Sequence, residues 1–108
     1  SKGLDVVCGF DLRFNEKNKF QILKLVSSIN SQIWLGHFDV WDKEGLIIYR
    51  NSSIIDRRNL NLETIETLLL DAVNSIDLYF PAFQYILWAG KTSEEALSTV
   101  LFETKGEA

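Results

Sequence analysis

A chain of 108 residues with 46% hydrophobic content has material for one modest core, and two separate cores would each be too small to stand alone. Its net charge of −4 is concentrated in the second half: residues 1–50 carry 7 Lys/Arg against 6 Asp/Glu, and residues 51–108 carry 4 against 9. Such a balance disfavours a nucleic-acid backbone as partner, one cysteine excludes an internal disulfide, and no apolar run reaches the roughly 20 residues of a membrane-spanning helix.

In chain order, residues 4–14 alternate, with Leu4, Val6, Cys8, Phe10, Leu12 and Phe14 on one face, which predicts a half-buried strand. Asn15 is expected to cap a helix over 16–33 that turns Phe20, Ile22, Leu23, Leu25, Val26, Ile29 and Ile33 toward the sheet. Two β-prone runs, 37–42 and 46–51, flank Lys43-Glu44-Gly45 and predict a hairpin with a three-residue loop. That register sets Val40 opposite Ile48, Phe38 opposite Arg50, Trp41 opposite Ile47 and Asp39 opposite Tyr49. Phe38, Val40, Leu46 and Ile48 then face the core, and His37, Asp39, Trp41, Ile47 and Tyr49 share the outer face. Residues 51–61 read as a polar loop.

Asn61 opens the longest helix, whose expected apolar stripe is Leu62, Ile65, Leu69, Ala72, Val73, Ile76 and Tyr79. Pro81 is expected to end or kink it near Phe80, leaving a second helical piece from Ala82 to Trp88 closed by Gly90. Thr92-Ser-Glu-Glu95 reads as a capping box for a short terminal helix with Ala96, Leu97, Val100 and Leu101 inward. The fold class is therefore α+β, a twisted antiparallel sheet with helices, in a single domain over 1–108.

Little here carries chemistry. His37 and Asp39 point the same way from one strand, so a base and a carboxylate, or two metal ligands, could come from them. No nucleophile elbow, zinc spacing or phosphate-binding glycine loop accompanies them, so no catalytic, metal or cofactor site is expected. Cys8 is expected to fill the core, and Arg50, placed beside Phe38, to need a carboxylate from a helix, for which Asp77 is one candidate. A nucleic-acid rival would need Lys17, Lys19, Lys24 and Arg57-Arg58 to converge. Two stretches hold more large apolar side chains than packing requires: the outer hairpin face with Trp41, Tyr49 and Ile47, and Leu78 to Gly90. The first is the expected partner-binding surface, with His37 and Asp39 beside it.

Trp34-Leu-Gly-His-Phe-Asp39, Tyr49-Arg50, Tyr79-Phe-Pro-Ala-Phe-Gln84 and Trp88-Ala-Gly-Lys-Thr-Ser-Glu-Glu-Ala-Leu97 resemble, over residues 4–107, the YbjN-like bacterial family of putative sensory transduction regulators. The resemblance implies a fold like that of type III secretion chaperones, with a helix either side of the sheet. It also implies a small acidic homodimer that binds a protein or peptide partner and has no enzymatic activity. Reducing conditions of the cytoplasm suit the lone cysteine. The related fold supplies a helix and strands ahead of the strand that begins near Leu4, so either the chain is a fragment or its open sheet edge pairs with another copy; the lack of any methionine also points to a segment upstream.

Overall fold

A computed structural model describes residues 2–56, 58 and 61–106. Six elements follow one another: β1 (Lys2–Arg13), α1 (Lys19–Asn30), β2 (His37–Trp41), β3 (Leu46–Ile55), α2 (Leu62–Ala89) and α3 (Ser93–Gly106). The strands form one antiparallel sheet in the order β1-β3-β2, which confirms the α+β class.

Alternation in β1 holds: Phe10, Leu12 and Phe14 are buried, and Val6 and Cys8 pack partly covered against the core. Arg13 lies opposite Leu46 while Gly9 lies opposite Ile48, so β1 bulges between them and bends. β3 is longer than expected. Its second half, Asn51 to Ile55, pairs with Val6 to Lys2, and the ladder converts what reads as a polar loop into strand.

The hairpin register differs from the three-residue prediction by one position. Trp41 lies opposite Leu46, Val40 opposite Ile47, Asp39 opposite Ile48, Phe38 opposite Tyr49 and His37 opposite Arg50. The loop therefore has four residues, 42–45, closed by the Gly45 N–H on Asp42 O at 3.2 Å. Gly45 has φ 66°, and a Cβ there would meet Phe14 O at 2.7 Å. Because side chains alternate, a slip of one exchanges the faces of β3. Ile47 and Tyr49, expected outside, are fully buried on the core face.

Helix α1 is shorter than 16–33. Asn15 does not cap it; its Oδ1 accepts from the N–H groups of Lys17 and Asn18 in the preceding turn, and Asn18 takes the cap position. Ile22, Leu25, Val26 and Ile29 are buried, whereas Phe20 and Leu23 stand exposed. Helix α2 runs unbroken through Pro81 to Ala89, so the two expected pieces are one helix of 28 residues, about 42 Å long. Proline costs one backbone hydrogen bond here, but Tyr79, Ala82, Phe83 and Ile86 around it are buried, and that packing keeps the helix in place. The expected box at α3 is formed: Thr92 N–H donates to Glu95 Oε1 at 2.9 Å, and Glu95 N–H to Thr92 Oγ1 at 3.2 Å.

Buried residues of all three helices join one core with the sheet face that carries Phe10, Phe38, Ile47 and Tyr49. This differs from the arrangement implied by the resemblance, a helix on each side. Rings of Phe10, Phe38, Phe80, Phe83, Tyr49 and Tyr79 meet mostly edge to face at centroid distances of 5.3–5.9 Å. No helix among the described residues is long and apolar enough to cross a membrane.

Candidate partner-binding surfaces

The corrected register divides the five residues expected to form one surface. His37, Asp39 and Trp41 remain together on the outer face, now beside Leu46, Ile48 and Arg50 rather than Ile47 and Tyr49. Trp41 is exposed, and Ile48 is buried there although it belongs to no part of the helix-side core. Arg50 sits between His37 on β2 and Val7 on β1. It therefore does not border Phe38, and no ion pair joins it to Asp77 among the described residues; its buried Nε has no hydrogen-bond partner. The imidazole of His37 makes no hydrogen bond among the described residues, and Asp39 Oδ1 accepts from the Val40 N–H at 2.8 Å. Asp39 thus serves the strand edge, and no cluster of His, Cys, Asp and Glu able to hold a metal occurs among the described residues.

Beneath the sheet lies a polar group that the sequence reading missed. Tyr49 Oη donates to Asp71 Oδ2, and Asn51 Nδ2 donates to the same oxygen at 2.9 Å. Tyr49 and Asn51 come from the core face of β3, and Asp71 comes from α2. Burial, reinforced by the Asp71 carboxylate, pushes the Tyr49 phenol up to about 12. Gly36, at φ 71°, makes room for this ring: a Cβ would lie 2.1 Å from Tyr49 Oη. The motif glycine of Trp34-Leu35-Gly36 therefore supports a buried hydrogen bond. Only the spacing of Tyr49 and Asn51, two residues apart on one strand, could have pointed to it.

Helix α2 exposes a row of apolar side chains. Ile65, Leu68, Ala72, Ile76 and Tyr79 turn inward to varying degrees, while Leu62, Leu69, Leu70 and Val73 are 70%, 49%, 61% and 52% exposed. Three of the residues expected in the buried stripe, Leu62, Leu69 and Val73, thus lie outside it. Glu66, Leu69, Leu70 and Val73 line a shallow cleft. Leu78 to Gly90, the other suspected surface, is mostly core, with Trp88 left exposed at its end.

Among the described residues, three of the basic side chains meet carboxylates. Lys19 Nζ pairs with Asp42 at 2.8 Å, and Lys24 Nζ with Glu94 at 2.7 Å. The second bond holds the Glu94 carboxyl at about 2. Arg58 lies 3.9 Å from Asp56, and Arg57 lies outside the described residues.

A three-stranded antiparallel sheet layered with helices defines an α+β domain, and its longest helix leaves an apolar row exposed. Residues 1–85 match the YbjN family, described as putative bacterial sensory transduction regulator, and the chain belongs to that family. The match covers β1 to most of α2, so the Trp88 to Leu97 motif and α3 lie beyond it. No curated protein and no solved structure gives a significant match.

Proposed function

We propose that the chain is a non-enzymatic, chaperone-like regulatory module of the bacterial cytoplasm that works as a homodimer and holds an amphipathic segment of a protein partner on α2. The exposed row Leu62, Leu69, Leu70 and Val73 carries this reading. A helix whose inner side is already buried gains nothing for its own fold by presenting four large aliphatic residues to water, whereas a partner helix can cover them. Glu66 within the row favours a partner with a basic residue beside its apolar positions.

Affinity capture from bacterial lysate with the chain as bait tests the reading, beside Leu69→Glu/Leu70→Glu and Trp41→Ala. A protein retained by the unsubstituted chain and by Trp41→Ala, and lost from the double variant with an unchanged circular-dichroism spectrum, is the expected result. Equal retention by the double variant would remove α2 as the binding surface. Loss only with Trp41→Ala would transfer the role to the outer sheet face.

A further inference from the structure

Side-chain amides do different work at the two ends of α1. At its C-terminal end Asn30 uses both halves of its amide on the edge of β2: Phe38 N–H donates to Asn30 Oδ1 at 2.8 Å, and Asn30 Nδ2 donates to Phe38 O at 2.9 Å. At the other end three amides use only their oxygens. Asn15 Oδ1 accepts from the N–H groups of Lys17 and Asn18 at 3.0 and 3.3 Å, and Asn18 Oδ1 accepts from the Asn15 N–H at 2.9 Å. Gln21 Oε1 accepts from the N–H of buried Ser93 at 2.8 Å. A backbone N–H needs an oxygen opposite it, so these bonds fix which way each amide is turned. The NH2 groups of Asn15, Asn18 and Gln21 then have no acceptor among the described residues.

All three amides line one cleft of about 410 Å³ between the start of α1 and the end of α2, together with Lys17, Lys91, Ile86 and Leu87. No acidic side chain lines it. Lys19 and Lys24 have carboxylate partners, whereas Lys17 and Lys91 form no ion pair among the described residues. The acids that follow Lys91 are engaged elsewhere, Glu94 with Lys24 Nζ and Glu95 with the Thr92 N–H. What the side chains of the cleft have left to offer is therefore mostly N–H donors, and two of them are cations in a chain whose net charge is −4.

We propose that this cleft binds a small phosphate monoester with an apolar body. Such a group carries close to two negative charges at neutral pH and three strong acceptor oxygens, which two ammonium groups and three amide NH2 groups can satisfy. A carboxylate, with one charge and two oxygens, would leave a cation over. Ile86 and Leu87, both packed into or against the core, give the rest of the molecule an apolar wall. The site is separate from the exposed row of α2, since Ile86 lies roughly 20 Å along the helix from Val73, and it stands whether or not that row holds a partner.

Phenyl phosphate is the probe, titrated into the isotopically labelled chain and followed through backbone amide shifts, beside benzoate, inorganic phosphate and a short phosphotyrosine peptide. It is expected to shift the amides of residues 15–21 and 86–91, to bind about tenfold more tightly than benzoate or inorganic phosphate, and to weaken as salt is added. Lys17→Gln/Lys91→Gln is expected to weaken binding by about tenfold or more. Lys91 also follows the carbonyl end of α2, where a cation stabilises a helix, so urea denaturation is read on the same variant and is expected to be unchanged. Should that variant be destabilised, Lys17→Gln alone carries the same expected loss of binding. Absence of saturable shifts at these residues, or equal affinity in both variants, would overturn the site. Benzoate binding as tightly as phenyl phosphate would remove the phosphate, and inorganic phosphate binding as tightly would remove the apolar body. Tighter binding of the peptide would make the ligand a phosphorylated segment of a protein and overturn the small molecule.

Discussion

Tyr49 shows what one residue's placement decides. A large aromatic on the outer face would be an anchor for partners; on the inner face it is part of the core and the donor to a half-buried carboxylate. Truncation to alanine would therefore unfold the protein before it informed on binding. Tyr49→Phe asks a sharper question, because it removes only the donor to Asp71. It is expected to cost about 1–3 kcal/mol in urea denaturation, the usual penalty when a buried polar group loses its partner. The phenol also links stability to alkaline pH. Its ionisation is moved from 10.0 to about 12 by folding, so the unfolded chain releases this proton first. The stability it contributes is complete below pH 10 and is lost as pH rises through 12. Tyr49→Phe is expected to flatten that part of the stability profile, and an unchanged alkaline slope would show that Tyr49 does not carry it.

At the scale of elements, the features set by short-range chemistry were legible and those set by a competition were not. Strict alternation in β1 identified its buried face, and Thr92 with Glu95 identified the start of α3, because each depends on a few neighbouring side chains. Thr92→Ala is expected to lower stability by about 1 kcal/mol in thermal or urea unfolding, the ordinary value for loss of a helix cap. The hairpin register was not legible. Leu46, Ile47, Ile48 and Tyr49 are apolar at four consecutive positions, so either face of β3 could have been the buried one, and loop length alone had to decide. Pro81 was misleading for a related reason: its local preference opposes the helix, and Tyr79, Ala82, Phe83 and Ile86 outweigh it through contacts distant in sequence. The α2 stripe lies one position away from the expected one over its first half, since Leu68, Leu69 and Leu70 offer three leucines in a row and Leu68 is the one that turns inward.

The whole molecule is more extended than its length requires. The Cα radius of gyration is 15.1 Å, against about 13 Å for a compact chain of this size. An elongated outline with an exposed α2 row suits a subunit whose contacts are completed by other chains. Class and family were readable from spaced motifs, whereas the surfaces were not, because exposure depends on register and on which leucine turns inward. The way the β2 edge is filled has a further consequence. A strand edge with free backbone groups can accept a strand from another molecule, and one filled by a side-chain amide does not. Asn30 is then a guard on the sheet, since its amide takes both backbone groups of Phe38. Asn30→Ala frees those groups, and light scattering is expected to grow with time and concentration as strands of other molecules add at β2. A variant that scatters no more than the unsubstituted chain would show that another feature protects the edge. By this account a single amide on α1 keeps the rim of the sheet from becoming a template for aggregation.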